Sequence, residues 1–286
     1  MNINGMSKRA NTEILNSNLH KIREREAFTS ELRALTIKDI DLPSTDIHDV
    51  KELVRIYRKY MPLDGTYTIA DRALFCSNLY DSTSISLQNV EKICDTDVIT
   101  DLAYVKNQYS EEAASILSKS FSVNKKRHYR SFSEMCEDIE SGICDGCIVP
   151  LENTSDGKLM NFYSIIDRFD LKIACTCDIE NQNGDQTTRY ALLRNKLNTP
   201  QDAEKCYLEF SFISSENISL TDVIKAAEIS GLKLHRIDSM PMRYNDSEFV
   251  YYPVFLGTTY NVIKFTLFLK LNLSQYTTVG IYNRIK

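Results

Sequence analysis

Residues 149–157 read Val149-Pro150-Leu151-Glu152-Asn153-Thr154-Ser155-Asp156-Gly157. The apolar run Cys147-Ile148-Val149 leading into Pro150 reads as a short buried strand. Glu, Asn, Thr and Ser then follow before a glycine, so several short polar groups collect at a strand's C-terminal end beside a helix start. Hydroxyl, amide and backbone N–H groups in that position can hold a carboxylate.

Working outward, strands and helices alternate. Leu102 to Val105 reads as a strand, and Ser110 to Ser120 as a helix capped by Ser110 with Glu111 and Glu112 in its first turn. Ser131 to Ser141 is a helix closed by Gly142, Asn161 to Phe169 another helix, and Leu171 to Cys175 and Arg189 to Leu193 are strands. This alternation predicts an α/β unit with parallel pairing. After Pro200 the pattern becomes strand Tyr207 to Phe212, helix Ser219 to Ser230, strands Leu232 to Ile237 and Phe249 to Leu256, helix Val262 to Leu271 and strand Thr277 to Tyr282. That β-α-β-β-α-β order is ferredoxin-like. Before residue 97 only helices are predicted, over 12–38, 46–60 and 68–90.

The 286 residues carry a net charge of −5 and a pI of about 5.5, so no chain-wide basic field recruits nucleic acid. No apolar run reaches the ~18 residues of a bilayer span, and the polar first twelve residues are not a secretory signal. These features predict a cytoplasmic protein with reduced cysteines. Cys144-x-x-Cys147 and Cys175-x-Cys177 fall on strand-like runs and read as buried thiols rather than a zinc site. The histidines have no metal-ligand spacing, and no G-x-G occurs, so neither a metal nor a dinucleotide cofactor is expected.

The 149–157 stretch resembles the V-P-I-E-N-[ST]-x-x-G motif of prephenate dehydratases. Tyr109-Ser110-Glu111-Glu112-Ala113-Ala114 is similar to that family's opening turn and helix, and Thr187-Thr188-Arg189-Tyr190 to its T-R-F motif. The resemblance implies that Thr188 assists departure of the substrate hydroxyl, with Glu152, Asn153 and Thr154 catalytic and Arg189 and Ser155 binding substrate. Ile237-Asp238-Ser239-Met240-Pro241 and Val279-Gly280-Ile281-Tyr282 resemble motifs of the ACT regulatory domain that follows these enzymes. Leu220, Asp238 and Ser239 are then the candidate contacts for a regulatory amino acid. Ile218 stands where the family has glycine, and Met240 where it has arginine, which speaks against phenylalanine itself.

Leu19-x-x-Ile22-x-x-Arg25 and Ser84-x-x-x-Gln88 read either as solvated charged faces of amphipathic helices or as resembling the chorismate mutase domain of the bifunctional family members, called P-proteins. The resemblance implies Arg25, Lys38 and Gln88 as binding groups for a chorismate- or prephenate-like molecule. The resulting fold class is α+β in three parts. Residues 1–97 are all-α and chorismate-mutase-like. Residues 98–198 form a single α/β lobe of the prephenate dehydratase (periplasmic-binding-protein-like) type. Residues 204–286 form an ACT-like ferredoxin fold. The family resemblance also implies a homodimer.

The chain departs from the family between Ile173 and Thr187, where the second dehydratase lobe belongs. The span 174–187 is too short for a lobe of at least ~50 residues. Two readings follow. One is an enzyme of phenylalanine biosynthesis, taking chorismate to prephenate and phenylpyruvate, with dehydration impaired. The other is a catalytically inactive homologue that binds a ligand, regulates or assembles through its C-terminal domain.

Overall fold

The computed structural model describes residues 98–200, 203–214, 218–242 and 245–285. Before these it describes 19–21, 23–24, 28–29, 31–37, 40, 50–62, 65–83, 85–86, 88, 91 and 93. Residues 31–37 are helical and bury Ile37, while Leu19, Leu32 and Leu35 are exposed. Helix α1 (Val50–Tyr60) follows, then α2 (Ile69–Ser82). The buried residues of α1 are Leu53, Ile56 and Tyr57, a three- and four-residue spacing that puts them on one face. Thr68 starts α2 through a capping box with Asp71. The helix stops at Thr83 rather than continuing to Val90, because the Thr83 hydroxyl bonds back to the Leu79 carbonyl and its backbone turns extended.

The remaining elements are β1 (Val98–Val105), α3 (Gln108–Leu117), β2 (Ser122–Tyr129), α4 (Phe132–Glu140), β3 (Gly146–Asn153) and β4 (Gly157–Lys158). After them come α5 (Met160–Arg168), β5 (Lys172–Glu180), β6 (Thr187–Arg194), β7 (Cys206–Ile213), α6 (Leu220–Ile229), β8 (Lys233–Met242), β9 (Asn245–Gly257), α7 (Thr259–Asn272) and β10 (Tyr276–Ile285). Two sequence expectations are corrected here. Asn107, not Ser110, caps α3. Its side chain accepts the Ser110 N–H at 2.9 Å, and Ser110 is buried inside the helix. Strand β2 was not predicted, because Ser-Val-Asn-Lys-Lys-Arg-His-Tyr has no apolar run. It is an outer strand, where charged side chains deter further pairing.

The ten strands among the described residues lie in one sheet. The order is β2-β1-β3-β6-β5-β10-β7-β9-β8, with β4 paired to β3. Strands β1 and β3 pair parallel as expected, and the unpredicted β2 pairs parallel with β1. However, β6 runs antiparallel to both β3 and β5, so the unit is mixed rather than parallel. The reason is local. Strand β5 turns straight into β6 through a tight connection in which the Asn181 N–H bonds the Gln186 carbonyl and Gly184 takes a positive φ. A second lobe does not intervene there. The C-terminal strands follow the order β10-β7-β9-β8, all antiparallel.

The two halves of the sheet join where β10 pairs parallel to β5. A Cβ on Gly280 would lie 2.7 Å from the Ile173 Cβ and 2.8 Å from the Ile173 carbonyl oxygen, so glycine is needed for this approach. The sheet also curls. Glu152 on β3 and Arg236 on β8 stand six strand spacings apart in the order, about 29 Å if flat at ~4.8 Å per strand, more than their side chains can bridge. Their charged atoms are nevertheless 2.6 Å apart.

The concave face encloses α4, α5 and a core that includes Tyr163, Ile166, Tyr252, Val279 and Tyr282. Helix α3 covers the other face of the first half, packing Ala113, Ala114 and Leu117 near Cys175, Cys177 and Tyr190. On the other face of the second half, α1 and α2 share a core with α6 and α7, where Tyr57 and Phe75 belong to the same cluster as Phe210, Phe255 and Phe265. Tyr57 also donates to Asn272 at 2.6 Å, and Lys264 pairs with Asp81 at 2.9 Å. The N-terminal helices and the C-terminal strands are therefore stabilised by one continuous burial of apolar surface.

The Gly280 approach is testable. Gly280→Ala is expected to cost about 1–3 kcal/mol by overpacking, read as a lower urea midpoint at unchanged m-value. An unchanged or raised midpoint would show that the β5–β10 contact is looser than described.

Candidate functional site

Of the residues singled out from sequence, Glu152, Arg189 and Asp238 meet on the concave face, the first two through two irregularities in the ladder. Pairing of β3 with β6 shifts register between Pro150 and Glu152, and pairing of β5 with β6 shifts between Ile173 and Cys175. Such bulges re-aim the following side chains. Glu152 and Asp178 thereby lie opposite Arg189 of β6. One Arg189 nitrogen is 2.7 Å from Glu152 Oε2 and its Nε is 3.1 Å from Asp178 Oδ1. Glu152 Oε1 takes Arg236 at 2.6 Å, and Arg284 pairs with Asp178. Arg236 Nε and Asp238 Oδ2 are 2.9 Å apart, close enough for charge pairing but off line for a hydrogen bond, so both atoms are buried without one.

Lys158 completes the network. The 153–157 turn is internally satisfied, with the Asp156 N–H donated to Asn153 Oδ1 at 2.5 Å and the Asn153 amide donated to Asp156 Oδ2 at 2.8 Å. Gly157 follows with φ +70°, and Lys158 is then carried inward. Its side chain is only 3% exposed, and the ammonium lies 2.9 Å from Glu209 and 3.5 Å from Asp238. It also sits over the faces of Tyr163 at 3.8 Å and Tyr252 at 4.6 Å. Tyr282 donates to the second Glu209 oxygen at 3.0 Å. Four cations, Lys158, Arg189, Arg236 and Arg284, thus face four carboxylates, Glu152, Asp178, Glu209 and Asp238.

The electrostatics follow from this packing. Burial pushes the Tyr163 and Tyr282 phenols well up, and the Glu209 carboxylate adds to it. Burial opposes the charge on Arg236, but Glu152 and Asp238 more than offset it and hold the guanidinium above its ordinary value. Asp167 is raised by burial even though Tyr252 donates to it at 3.0 Å. The space left among Arg189, Arg236, Arg284, His235, Tyr207 and Tyr282 is about 20 Å³, room for little more than one water.

The other predicted residues are placed as follows. Thr188 pairs across the ladder with Asn153 and Ile179, and strand alternation points it to the face opposite Arg189. Thr154 Oγ1 accepts the Thr187 N–H at 3.2 Å, and Ser155 is exposed in the turn. Leu220 opens α6 behind the Ser219–Asp222 capping box. Asp238 lies in the charge network, whereas Ser239, on the alternate face of β8, is exposed. Gln88 lines a separate cleft with Lys172, Lys196 and Lys270. Arg25 and Lys38 lie outside the described residues.

The residues that sequence reading missed are Lys158, Asp178, Glu209, Arg236 and Arg284. Glu209, a charge inside the apolar strand Tyr207 to Phe212, was the available signal. Cys144, Cys147, Cys175 and Cys177 are buried free thiols, and burial pushes Cys177 up to about 12. Among the described residues no group of three potential ligands is placed to hold a metal ion.

No family model matches the chain, and no curated protein does. Solved structures do. A prephenate dehydratase from Streptococcus mutans superposes with a TM-score of 0.53 at 15% identity, over 65% of this chain and 100% of that one. A prephenate dehydratase in complex with L-Phe from Arthrobacter aurescens gives 0.52 at 12% identity, over 65% and 90%. The chain therefore has a prephenate-dehydratase-like fold. No helix among the described residues is long and apolar enough to cross a membrane.

Removing one member of a buried pair leaves the other charge uncompensated. Lys158→Met is expected to destabilise by about 3–5 kcal/mol in urea unfolding. Adding Glu209→Gln to Lys158→Met should recover at least half of that loss. A cost below about 1 kcal/mol for Lys158→Met would contradict a buried, coupled Lys158–Glu209 pair.

Proposed function

We propose that this chain is a non-dehydrating relative of the chorismate mutase/prephenate dehydratase proteins of phenylalanine biosynthesis, acting as a small-molecule-binding regulatory or assembly protein. The dehydratase-like fold supports the ancestry. The loss of dehydration rests on one observation. Arg189, the residue that would anchor a substrate carboxylate, is already bonded to Glu152 and Asp178, while Thr188 points to the other face of the same strand. A substrate carboxylate would have to displace two internal carboxylates, and the 20 Å³ beside Arg189 admits no ring-sized molecule. The direct β5–β6 turn also leaves no second lobe to form the far wall of a substrate cleft, a place taken here by side chains of β7 and β8.

On this reading residues 98–198 are the dehydratase-like lobe and 204–286 an ACT-like module, with 1–97 derived from a chorismate mutase. The assembly is a cytoplasmic homodimer. The ligand class is a small amino or keto acid, or a prephenate- or chorismate-like molecule, and no cofactor takes part. The L-Phe of the Arthrobacter aurescens complex belongs to that protein, and Ile218 and Met240 argue for a different ligand here.

The experiment is a turnover assay on purified full chain. Prephenate should give phenylpyruvate no faster than buffer alone, by absorbance of the enol. An enzymatic rate that disappears in Thr188→Ala would overturn the reading.

A further inference from the structure

A cleft of about 390 Å³ opens on the concave face, where the C-terminal end of α5 meets the start of β5, the end of β7 and the start of β10. That volume is within the range of small-ligand sites. Ile166, Leu171, Val250 and Val279 give it an aliphatic wall, and all four belong to the concave core or pack against it. Ser211 and Thr277, opposite each other on β7 and β10, add hydroxyls.

Two carboxylates and one ammonium also line the cleft. Asp170 and Lys172 satisfy each other at 2.6 Å. Asp167 is placed differently. Among the described residues no ammonium or guanidinium pairs with it, and its hydrogen bond comes from the Tyr252 hydroxyl, to Oδ2, at 3.0 Å. The cations that act on it from farther off are already committed, Lys172 to Asp170 and Lys158 to Glu209 and Asp238. Asp167 is exposed at the mouth of the cleft, yet enough protein surrounds its carboxyl to raise it above the ordinary carboxylate range. The cleft thus joins an apolar wall to one carboxylate whose charge the protein leaves uncompensated.

We infer that this cleft binds a small organic cation, a primary ammonium carrying an alkyl or aryl body. The ammonium pairs with Asp167 at the mouth, and the body covers the aliphatic wall. A partly desolvated carboxylate without a counter-ion attracts an arriving cation more strongly than a solvated one does, and hydrocarbon laid against the wall adds affinity in proportion to the area covered. A simple acid is disfavoured, because its carboxylate would meet Asp167 while Lys172 is held by Asp170. This is a second class of ligand, independent of the one proposed above, and it uses none of Glu152, Thr188 or Arg189.

The test is isothermal titration of the full chain near neutral pH with four probes: 2-phenylethylamine, 2-phenylethanol, 3-phenylpropionate and methylamine. The first should bind 1:1. Each of the others should bind weaker by about tenfold or more, since the alcohol lacks the charge, the acid reverses it and methylamine lacks the body. Asp167→Asn keeps an acceptor for Tyr252 and should lose about tenfold or more for 2-phenylethylamine at an unchanged melting temperature. Thr277→Trp, at an exposed position on the rim, should fill the mouth and abolish binding. If Asp167→Asn does not fold, Thr277→Trp and the probe series still decide. Equal binding of the alcohol, the acid or methylamine, undiminished binding in either folded variant, or no heat at millimolar 2-phenylethylamine would each overturn the site. Phenylpyruvate formation from prephenate, assayed on the same samples, tests the loss of dehydration separately, since either result there leaves the titration readable.

Discussion

The close approach of Gly280 to Ile173 is the constraint on which the other features depend. It lets β10 pair with β5, and that pairing turns two sheet halves into one. A side chain at 280 would meet both a Cβ and a backbone carbonyl, and backbone cannot move aside without breaking the ladder. Once the halves are continuous, their twist accumulates in one direction. The accumulated curl brings β3 and β4 within reach of β7 and β8, strands that lie four to six places away in the order.

The charge network follows from that curl. Glu152, Lys158 and Arg189 come from β3, β4 and β6, and Glu209, Arg236 and Asp238 from β7 and β8. Their attraction is little screened, since Lys158 and Glu209 are almost fully buried, but burying them also carries a desolvation penalty. Such a network contributes less net stability than specificity of closure. It also changes what the Glu-Asn-Thr-Ser-Asp-Gly turn does in this molecule. Asn153 and Asp156 satisfy each other within the turn, Glu152 is held by two arginines, and the turn's glycine precedes a lysine carried into the protein interior. A motif that resembles a substrate site is built here into the contact between the two halves of one sheet.

Much of the fold was legible from local pattern. The Ser219 cap and Gly231 stop delimit α6, and Ser131 with Gly142 delimits α4, because caps and left-handed glycines act within a few residues. The apolar runs at Cys147 and Tyr207 marked β3 and β7 for the same reason. Strand β2 was hidden because an outer strand needs no apolar run, and the antiparallel β6 because pairing direction depends on a six-residue turn. The site was less legible. Arg189 and Glu152 were found as residues, but residue type does not reveal whether a guanidinium meets an internal or an external carboxylate. Lys158 and Arg236 were missed because Glu209 and Glu152, which they pair with, lie 51 and 84 positions away in sequence and meet them only through the curl.

Native-state hydrogen exchange tests the single-sheet account most directly. If β5 and β10 are one ladder, amides of residues 172–180 and 276–285 that face each other across the seam should open together, in the slowest-exchanging class. Exchange of the β10 amides in a separate, faster class, with β5 still protected, would contradict it and show two modules that merely touch.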